Sequence, residues 1–257
     1  MAPFGFWGRK RLVVERVDVT LAGLAPGFDD YRIAFVTDLH YSAIVPRWFV
    51  ARALTTALAL EPDLFLLGGD FLSSGGAYLS GLVELLRPLS AADGVFAVLG
   101  NHDHHVGTEV VREALQAAGV RELWNASAGI RRGDAVLGVG GVGDLRFDVI
   151  DFRAAVAGLP AGAPRIVVSH DPDVFAFWPP EIRLDLMLSG HTHGGQAWLP
   201  LIGPPYVPSQ FGFRYLSGHV REGERQLYVS RGVGAITAPI RWCCPPEVTL
   251  LVLHPPS

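Results

Sequence analysis

The sequence predicts an α/β fold, with a largely parallel sheet in its first half and a second, mixed sheet after it. Three observations predict it. Short apolar runs alternate with helically spaced segments from residue 32 to about residue 118. Apolar runs then continue to residue 253 with fewer helical segments between them. Clusters of Asp, Asn and His follow these runs, at the places where a strand would leave its sheet.

The elements follow in order. Val13 to Leu21 alternates with period two and reads as a strand at a sheet edge. Arg32 to Thr37 is a buried strand ending at Asp38. Pro46 suits a helix start, and Phe49, Ala53 and Ala57 with Val50, Leu54 and Leu58 give helical spacing to about Leu60. Asp63 to Leu67 is the next strand, followed by Gly68-Gly69-Asp70. A second helix is expected over about 77–89, with Tyr78, Leu82, Leu85, Leu86 and Leu89 on one face. Val95 to Leu99 is a strand ending at Gly100-Asn101-His102. A third helix over about 107–118 uses Val110, Val111, Ala114, Leu115 and Ala118. This βαβαβα order belongs to a parallel sheet with helices packed against it. The runs 120–124, 135–140, 165–169, 185–189, 226–230 and 247–253 supply the second half. The stretch 196–217 has aromatic and aliphatic residues among prolines and glycines without a period. It reads as a long ordered loop beside the site, or as a lid over the core.

The chain has 257 residues, enough for one large domain with a full core, and no linker or repeat divides it, so residues 1–257 are expected to form a single domain. Hydrophobic residues make up 49% and mean hydropathy is +0.30. A net charge of −4 gives no electrostatic support to nucleic-acid binding. The two cysteines, Cys243 and Cys244, are adjacent and make no disulfide framework. No apolar run reaches the length of a membrane-spanning helix. Residues 1–11 lack the apolar stretch of a secretory signal. Their aromatics Phe4, Phe6 and Trp7, followed by Arg9, Lys10 and Arg11, suit either a frayed terminus or a membrane surface. The expected location is cytoplasmic, with peripheral contact at the inner membrane.

Five clusters carry the chemistry: Asp38-Leu39-His40, Gly69-Asp70, Gly100-Asn101-His102-Asp103, Ser169-His170-Asp171 and Gly190-His191-Thr192-His193. Any one alone is a common turn or a structural histidine. Seven of the nine histidines, however, fall in four strand-end loops, which a structural scatter does not produce. Hydrolysis at phosphorus with a pair of cations needs a bridging carboxylate and several terminal ligands. Asp70, after two glycines, has room to bridge. Asn101 offers a neutral oxygen, and Asp38/His40 and His191/His193 repeat a two-residue spacing. The donors are all oxygen or nitrogen, which favours Mn, Fe or Zn over a thiolate zinc site.

From about residue 32 to 253 these motifs resemble the calcineurin-like metallophosphoesterase superfamily. The resemblance implies a four-layer α/β/β/α sandwich with a dinuclear metal site at the strand ends. It implies that Asp38, His40, Asp70 and His193 hold one divalent ion and that Asp70, Asn101, His170 and His191 hold the other. Manganese is the first choice, and iron or zinc the next. It also implies in-line attack by a metal-bridging hydroxide, with His102 protonating the leaving oxygen and Asp103 orienting His102, although residue type alone also suits Asp103 to forming the turn. His104 and His105 either line the pocket or face solvent. Gly190 to Gln196, Ser230-Arg231-Gly232-Val233-Gly234, Pro239-Ile240-Arg241 and Pro245-Pro246-Glu247 resemble the YkuE/YaeI-like branch. That branch includes phosphodiesterases and a hydrolase cleaving the pyrophosphate of UDP-2,3-diacylglucosamine in lipid A synthesis. A phosphodiester or nucleotide-lipid substrate is therefore expected, its acyl part met by Trp198 and Phe211 in the apolar loop. Arg231 and Arg241 are candidate phosphate clamps or ion-pair partners. The alternatives are a soluble cyclic-nucleotide phosphodiesterase and a non-catalytic scaffold. Nothing in the sequence implies a protein partner.

Overall fold

Side-chain parity along the strands sets the layers. In β2 (Tyr31–Val36), Ile33 and Phe35 point to one core while Ala34 and Val36 point to another. In β3 (Leu64–Leu67) the split repeats, with Leu64 and Leu66 against Phe65 and Leu67. A strand that is apolar on both faces must be covered on both faces. The computed structural model, which describes residues 12–199 and 201–256, shows how. The basic and aromatic segment 1–11 lies outside the described residues.

One six-stranded sheet has the order β1 (Val13–Thr20), β12 (Glu247–His254), β2, β3, β4 (Val95–Ala97) and β5 (Arg121–Glu122). β1 and β12 are parallel, β12 and β2 antiparallel, and β2 to β5 parallel. Its outer face is covered by α1 (Arg47–Leu58), α2 (Leu79–Leu86) and α4 (Thr108–Ala117). These helices bury Phe49, Ala53 and Ala57, Leu82 and Leu86, and Val111 and Leu115, the stripes that the helical spacing predicts. The very short α3 (Asn101–Val106) and β5 fall in segments that the sequence reads as a site loop and a longer strand.

The second sheet has the order β10 (Gly218–Glu222), β11 (Arg225–Val229), β9 (Leu186–Ser189), β8 (Arg165–Val168), β7 (Ala135–Gly141) and β6 (Ala126–Arg132). β11, β9, β8 and β7 are parallel, and the two edge pairs antiparallel. Ile166, Val168, Leu186 and Leu188 meet Ile33, Phe35, Leu64 and Leu66 in the core between the sheets. Each fully buried side chain there contributes about 1.5–3 kcal/mol, and truncating Phe35 to alanine costs about 3–5 kcal/mol. On the far side, Val167, Met187, Leu227 and Val229 pack beneath Phe175, Trp178 and Tyr215. This fourth layer is thin. It consists of α5 (Val174–Phe177) and short 3-10 turns at Ala154–Val156 and Gly212–Tyr215.

The topology positions a site. β2, β3 and β4 run parallel and end at Val36, Leu67 and Ala97 along one edge. β7, β8, β9 and β11 end in the same way in the other sheet. The carboxyl ends of parallel strands are where ligand sites form in such sheets. Hydrogen bonds join the two edges here, from Val233 N to Thr37 O, from Gly234 N to Asp38 O, and from the His170 ring to Gly68 O.

Candidate metal centre

Each cluster named from the sequence begins at or just after one of these strand ends, and the backbone bends sharply as it leaves. Asp38, His40, Asp70, His191 and His193 all have left-handed backbones, with φ of 54°, 47°, 54°, 68° and 54°. Such a conformation costs about 1–3 kcal/mol per non-glycine residue and persists only where surrounding contacts impose it. Glycines make the close approaches possible. A Cβ on Gly69 (φ +90°) would strike the backbone of Gly100, and one on Gly190 would strike the Asp38 carboxylate.

The side chains converge. Among the described residues, donor atoms of Asp38, His40 and His193 lie within 4.8 Å of one another, as do those of Asp70, His170 and His191, and those of His40, Asp70 and His102. Asp70 belongs to two groups: its Oδ2 lies 3.4 Å from His40 Nε2 and 3.2 Å from His170 Nε2. His193 Nε2 is 3.5 Å from Asp38 Oδ1, and His191 Nδ1 is 3.2 Å from His170 Nε2. Asn101 is buried and its Oδ1 has no hydrogen-bond partner. An orphaned carbonyl oxygen of this kind is costly unless a cation or water completes it.

Outer contacts fix the ring tautomers. Gly68 O can only accept, so at 2.7 Å it takes the His170 Nδ1 proton and leaves Nε2 facing Asp70. Ser73 Oγ donates to His40 O and lies 3.2 Å from His40 Nδ1, so it accepts that ring proton and leaves Nε2 inward. Asp38 is held by the Thr37 hydroxyl at 2.9 Å and by the His191 N–H.

Charge is unevenly distributed. Burial raises Asp70, but the His170, His40 and His102 charges outweigh it and hold Asp70 well below the usual carboxylate range. Burial lowers His170, and the adjacent Asp70 outweighs that, leaving His170 well above the usual histidine range. Burial, with His170 beside it, pushes His191 down to about 3, and burial also holds His193 far below its usual value. The histidine charges likewise outweigh burial at Asp38, so burial and neighbouring charge favour ionised Asp38 and Asp70 beside unprotonated His191 and His193. Oxygen and neutral nitrogen donors of this kind fit divalent first-row cations.

The structure places His102 and Asp103 differently from one another. The His102 N–H donates to Asp70 Oδ1 at 2.8 Å, and its Nδ1 lies 3.1 Å from Ser73 O, so Nδ1 carries the proton and Nε2 is left for a ligand. Burial pushes His102 below the usual histidine range, against the pull of Asp70. Asp103 does not orient this ring, which corrects the expected role. Its carboxylate turns back to accept the N–H groups of Gly100, Asp70 and Phe71 at 3.0, 2.8 and 2.9 Å. At the third position of a helix an acidic side chain reaches its own N-cap rather than its neighbour.

For Arg231 the ion-pair alternative holds, and the expectations for Arg241 and Phe211 are corrected. Arg231 forms ion pairs with Glu15 and, at 2.9 Å, with Glu247, so it holds β1 to β12 instead of clamping phosphate. Arg241 is buried and donates to Gly234 O, His193 O and His193 Nδ1, so it braces a site histidine. Phe211 packs on Phe177 and Tyr215 under the second sheet. Trp198 does reach the site edge, where its ring N–H donates to Gly194 O and its face is partly exposed. His104 pairs with Asp148 at 3.2 Å and stacks on Phe147, while His105 is exposed. Sequence reasoning missed Arg146, whose Nη2 lies 3.2 Å from His191 Nε2, and Ser73, which touches both His40 and His102. Neither sits in a motif, and only the folded loops bring them in.

Residues 31–195 match the calcineurin-like phosphoesterase family. The phosphodiesterase YaeI of Escherichia coli (strain K12) is 39% identical over 227 residues, covering 87% of this chain and 82% of that protein. The uncharacterized metallophosphoesterase YkuE of Bacillus subtilis (strain 168) is 30% identical over 247 residues, covering 94% and 86%. A solved 5'-nucleotidase of Staphylococcus aureus, described as putative, shares the fold with a TM-score of 0.50 at 15% identity, over 88% of this chain and 55% of its own. With the family's motifs standing on converging metal donors, the chain belongs to the calcineurin-like phosphoesterases, metal-dependent hydrolases of phosphoric esters.

Proposed function

We propose that this chain hydrolyses a phosphodiester or pyrophosphate bond in a lipid-linked substrate, UDP-2,3-diacylglucosamine being the first compound to test. The observation that carries the lipid part is an apolar rim. More than half of the large hydrophobic side chains exposed among the described residues fall in two segments: Trp198, Leu199, Leu201, Ile202, Tyr206 and Phe213, then Ile240 and Trp242. The segments are tied by the Trp198 N to Trp242 O hydrogen bond and by the Gln196 side chain, which bonds Ile236 at both its N–H and its carbonyl. A groove lined by His193, Gln196, Ala197, Pro205, Tyr206 and Ile236 borders one site histidine and shares Tyr206 with these segments. Exposed apolar side chains gathered in this way suit an apolar ligand, and each CH2 buried contributes about 0.8 kcal/mol. Among the described residues no helix is long and apolar enough to cross a membrane, so contact with the inner membrane at this rim is proposed to be peripheral.

In this reading Asp38, His40, Asp70 and His193 hold one divalent ion, and Asp70, Asn101, His170 and His191 the other, with manganese first. When bound, the ions activate water and neutralise charge developing on the phosphoryl oxygens. The protein's own part is positional. Asp70 is aimed by the His102 N–H, and Asp103 holds the Asp70 backbone. His102, with its Nδ1 proton anchored on Ser73 O, presents Nε2 to the departing oxygen and gives it a proton in the imidazolium form, which the negative charge of an approaching phosphoryl group favours. The test compares a phosphomonoester, a simple diester and UDP-2,3-diacylglucosamine with manganese-loaded and chelator-treated protein. Metal-dependent turnover of the acylated nucleotide far above the others supports the proposal. Turnover of the simple diester alone removes the lipid part and points to cyclic nucleotides. No metal-dependent turnover of any ester overturns the enzymatic reading in favour of a scaffold.

A further inference from the structure

Building on that reading, we infer that Arg146 and the cleft beside it form a second anion subsite, which takes the phosphate next to the scissile one and selects pyrophosphate-linked substrates over simple diesters. The loop that carries Arg146 is pinned. Asp144 Oδ1 accepts the N–H groups of Arg146 and Phe147 at 2.9 and 3.2 Å, Asp148 Oδ2 accepts the Asp144 N–H at 2.8 Å, and Phe147 stacks on His104. The guanidinium is therefore presented from a fixed turn, which lowers the entropy lost when it engages a ligand.

Its position is what assigns the role. Arg146 Nη2 lies 3.2 Å from Nε2 of His191, the ring nitrogen opposite the one that faces His170. The guanidinium thus stands one imidazole width outside the converging donors, which is where we place the phosphate attached to the scissile one. Among the described residues it is exposed and forms no ion pair. A cation beside a centre that takes two divalent ions is repelled unless an anion lies between them. The sequence-derived alternatives are already engaged, Arg231 by two carboxylates and Arg241 in the interior.

The neighbouring cleft, about 310 Å³, is lined by Arg146, Asp171, Tyr206, Ser209 and Gln210, and it is the polar counterpart of the apolar groove. Of its two acids, Asp173 is spent on protein donors, the Ser209 hydroxyl at 2.5 Å and the Gln210 N–H at 2.7 Å, while Asp171 accepts the Asp173 N–H at 2.9 Å and feels the Arg146 charge, so an incoming phosphate competes with Asp171 for the guanidinium. Tyr206 lines both the cleft and the groove. A substrate with a polar phosphate-bearing arm and an apolar arm matches the two sides of that residue.

The test uses two chromogenic esters that differ by one phosphate: the p-nitrophenyl ester of a nucleoside 5'-monophosphate and that of the same nucleoside's 5'-diphosphate. Manganese-loaded wild type, Arg146→Gln and Arg146→Lys are compared. Arg146→Gln should raise KM for the diphosphate ester roughly 10- to 100-fold, the worth of a charge-assisted hydrogen bond to phosphate, and raise it several times less for the monophosphate ester. Arg146→Lys should fall between, since it keeps the charge and loses the fork. Calorimetry with the α,β-methylene nucleoside diphosphate and with the nucleoside monophosphate should show the same preference and its loss in Arg146→Gln. An unchanged KM ratio with an unchanged binding preference overturns the subsite. If neither ester is turned over, the esterase reading fails separately, and the calorimetric preference alone decides the role of Arg146.

Discussion

The Asp103 carboxylate accepts the backbone N–H of Asp70 at 2.8 Å, and through Phe71 and Gly100 it ties two site loops together. Burial and the Asp70 charge push Asp103 up to about 8, against the pull of these N–H donors. Its function is to hold the left-handed Asp70 backbone. In Asp103→Asn an amide nitrogen faces an N–H group, and a buried donor loses its partner at a cost of about 1–3 kcal/mol. The variant should unfold at lower denaturant and retain less metal, measured by urea titration and by metal analysis after dialysis. Full stability and full metal content would mean that the loops hold Asp70 without it.

His102 lies in a donor group with His40 and Asp70, yet its backbone N–H is already spent on Asp70. A proton donor and a metal ligand predict different things for His102→Ala. The proton-donor role predicts a fall in kcat of about 10²–10⁴-fold with metal content unchanged. It also predicts that substrates with a good leaving group, such as p-nitrophenolate, suffer much less. Loss of metal together with activity would make His102 a ligand.

Residues that work through their own chemistry were legible in the sequence, and residues that work through placement were not. Asp38, Asp70, Asn101, His170, His191 and His193 each follow an apolar run closely, so pattern and donor type together made them candidates. Asp103 was misread because adjacency in sequence suggested a contact with His102, whereas consecutive residues of a helix do not face one another. Arg231 and Arg241 share a residue type with phosphate clamps, but Glu15, Glu247 and the Gly234 carbonyl that engage them lie far along the chain or in an aperiodic loop. The edge strands β6 and β10 were invisible for another reason. They hold no sustained apolar run, as ASAGIRR and GHVRE, and their charged residues suit an edge that must not recruit another strand.

His170 sets the pH behaviour of metal loading. Burial lowers it, but Asp70 at 3.2 Å outweighs burial, so in the metal-free protein the ring keeps its proton well above the ordinary value of 6.5. A raised folded-state value stabilises fully below 6.5, and that contribution is lost as pH rises through the elevated value. An incoming cation must displace this proton. Chelator-treated protein should therefore lose stability toward alkaline pH, while metal affinity rises over the same interval. Calorimetric titration with manganese near pH 7, in two buffers of different ionisation enthalpy, should show release of about one proton. No buffer dependence would mean that His170 is already neutral.

Arg241 gives the sharpest contrast between bracing and binding. It is buried, and it donates to Gly234 O at 2.8 and 2.6 Å, to His193 O at 3.2 Å and to His193 Nδ1 at 3.0 Å. Arg241→Met keeps much of the side-chain volume but strands the buried Gly234 carbonyl, worth about 1–3 kcal/mol when left unpaired, while His193 O keeps the Gln196 N–H. It also releases the His193 ring, so the ion sharing Asp38, His40 and His193 should be held less tightly. The expected result is a lower unfolding midpoint and a higher manganese requirement. At saturating manganese, KM should stay near the wild-type value, because the guanidinium touches no substrate. A KM rise that excess metal cannot reverse would restore Arg241 as a phosphate clamp.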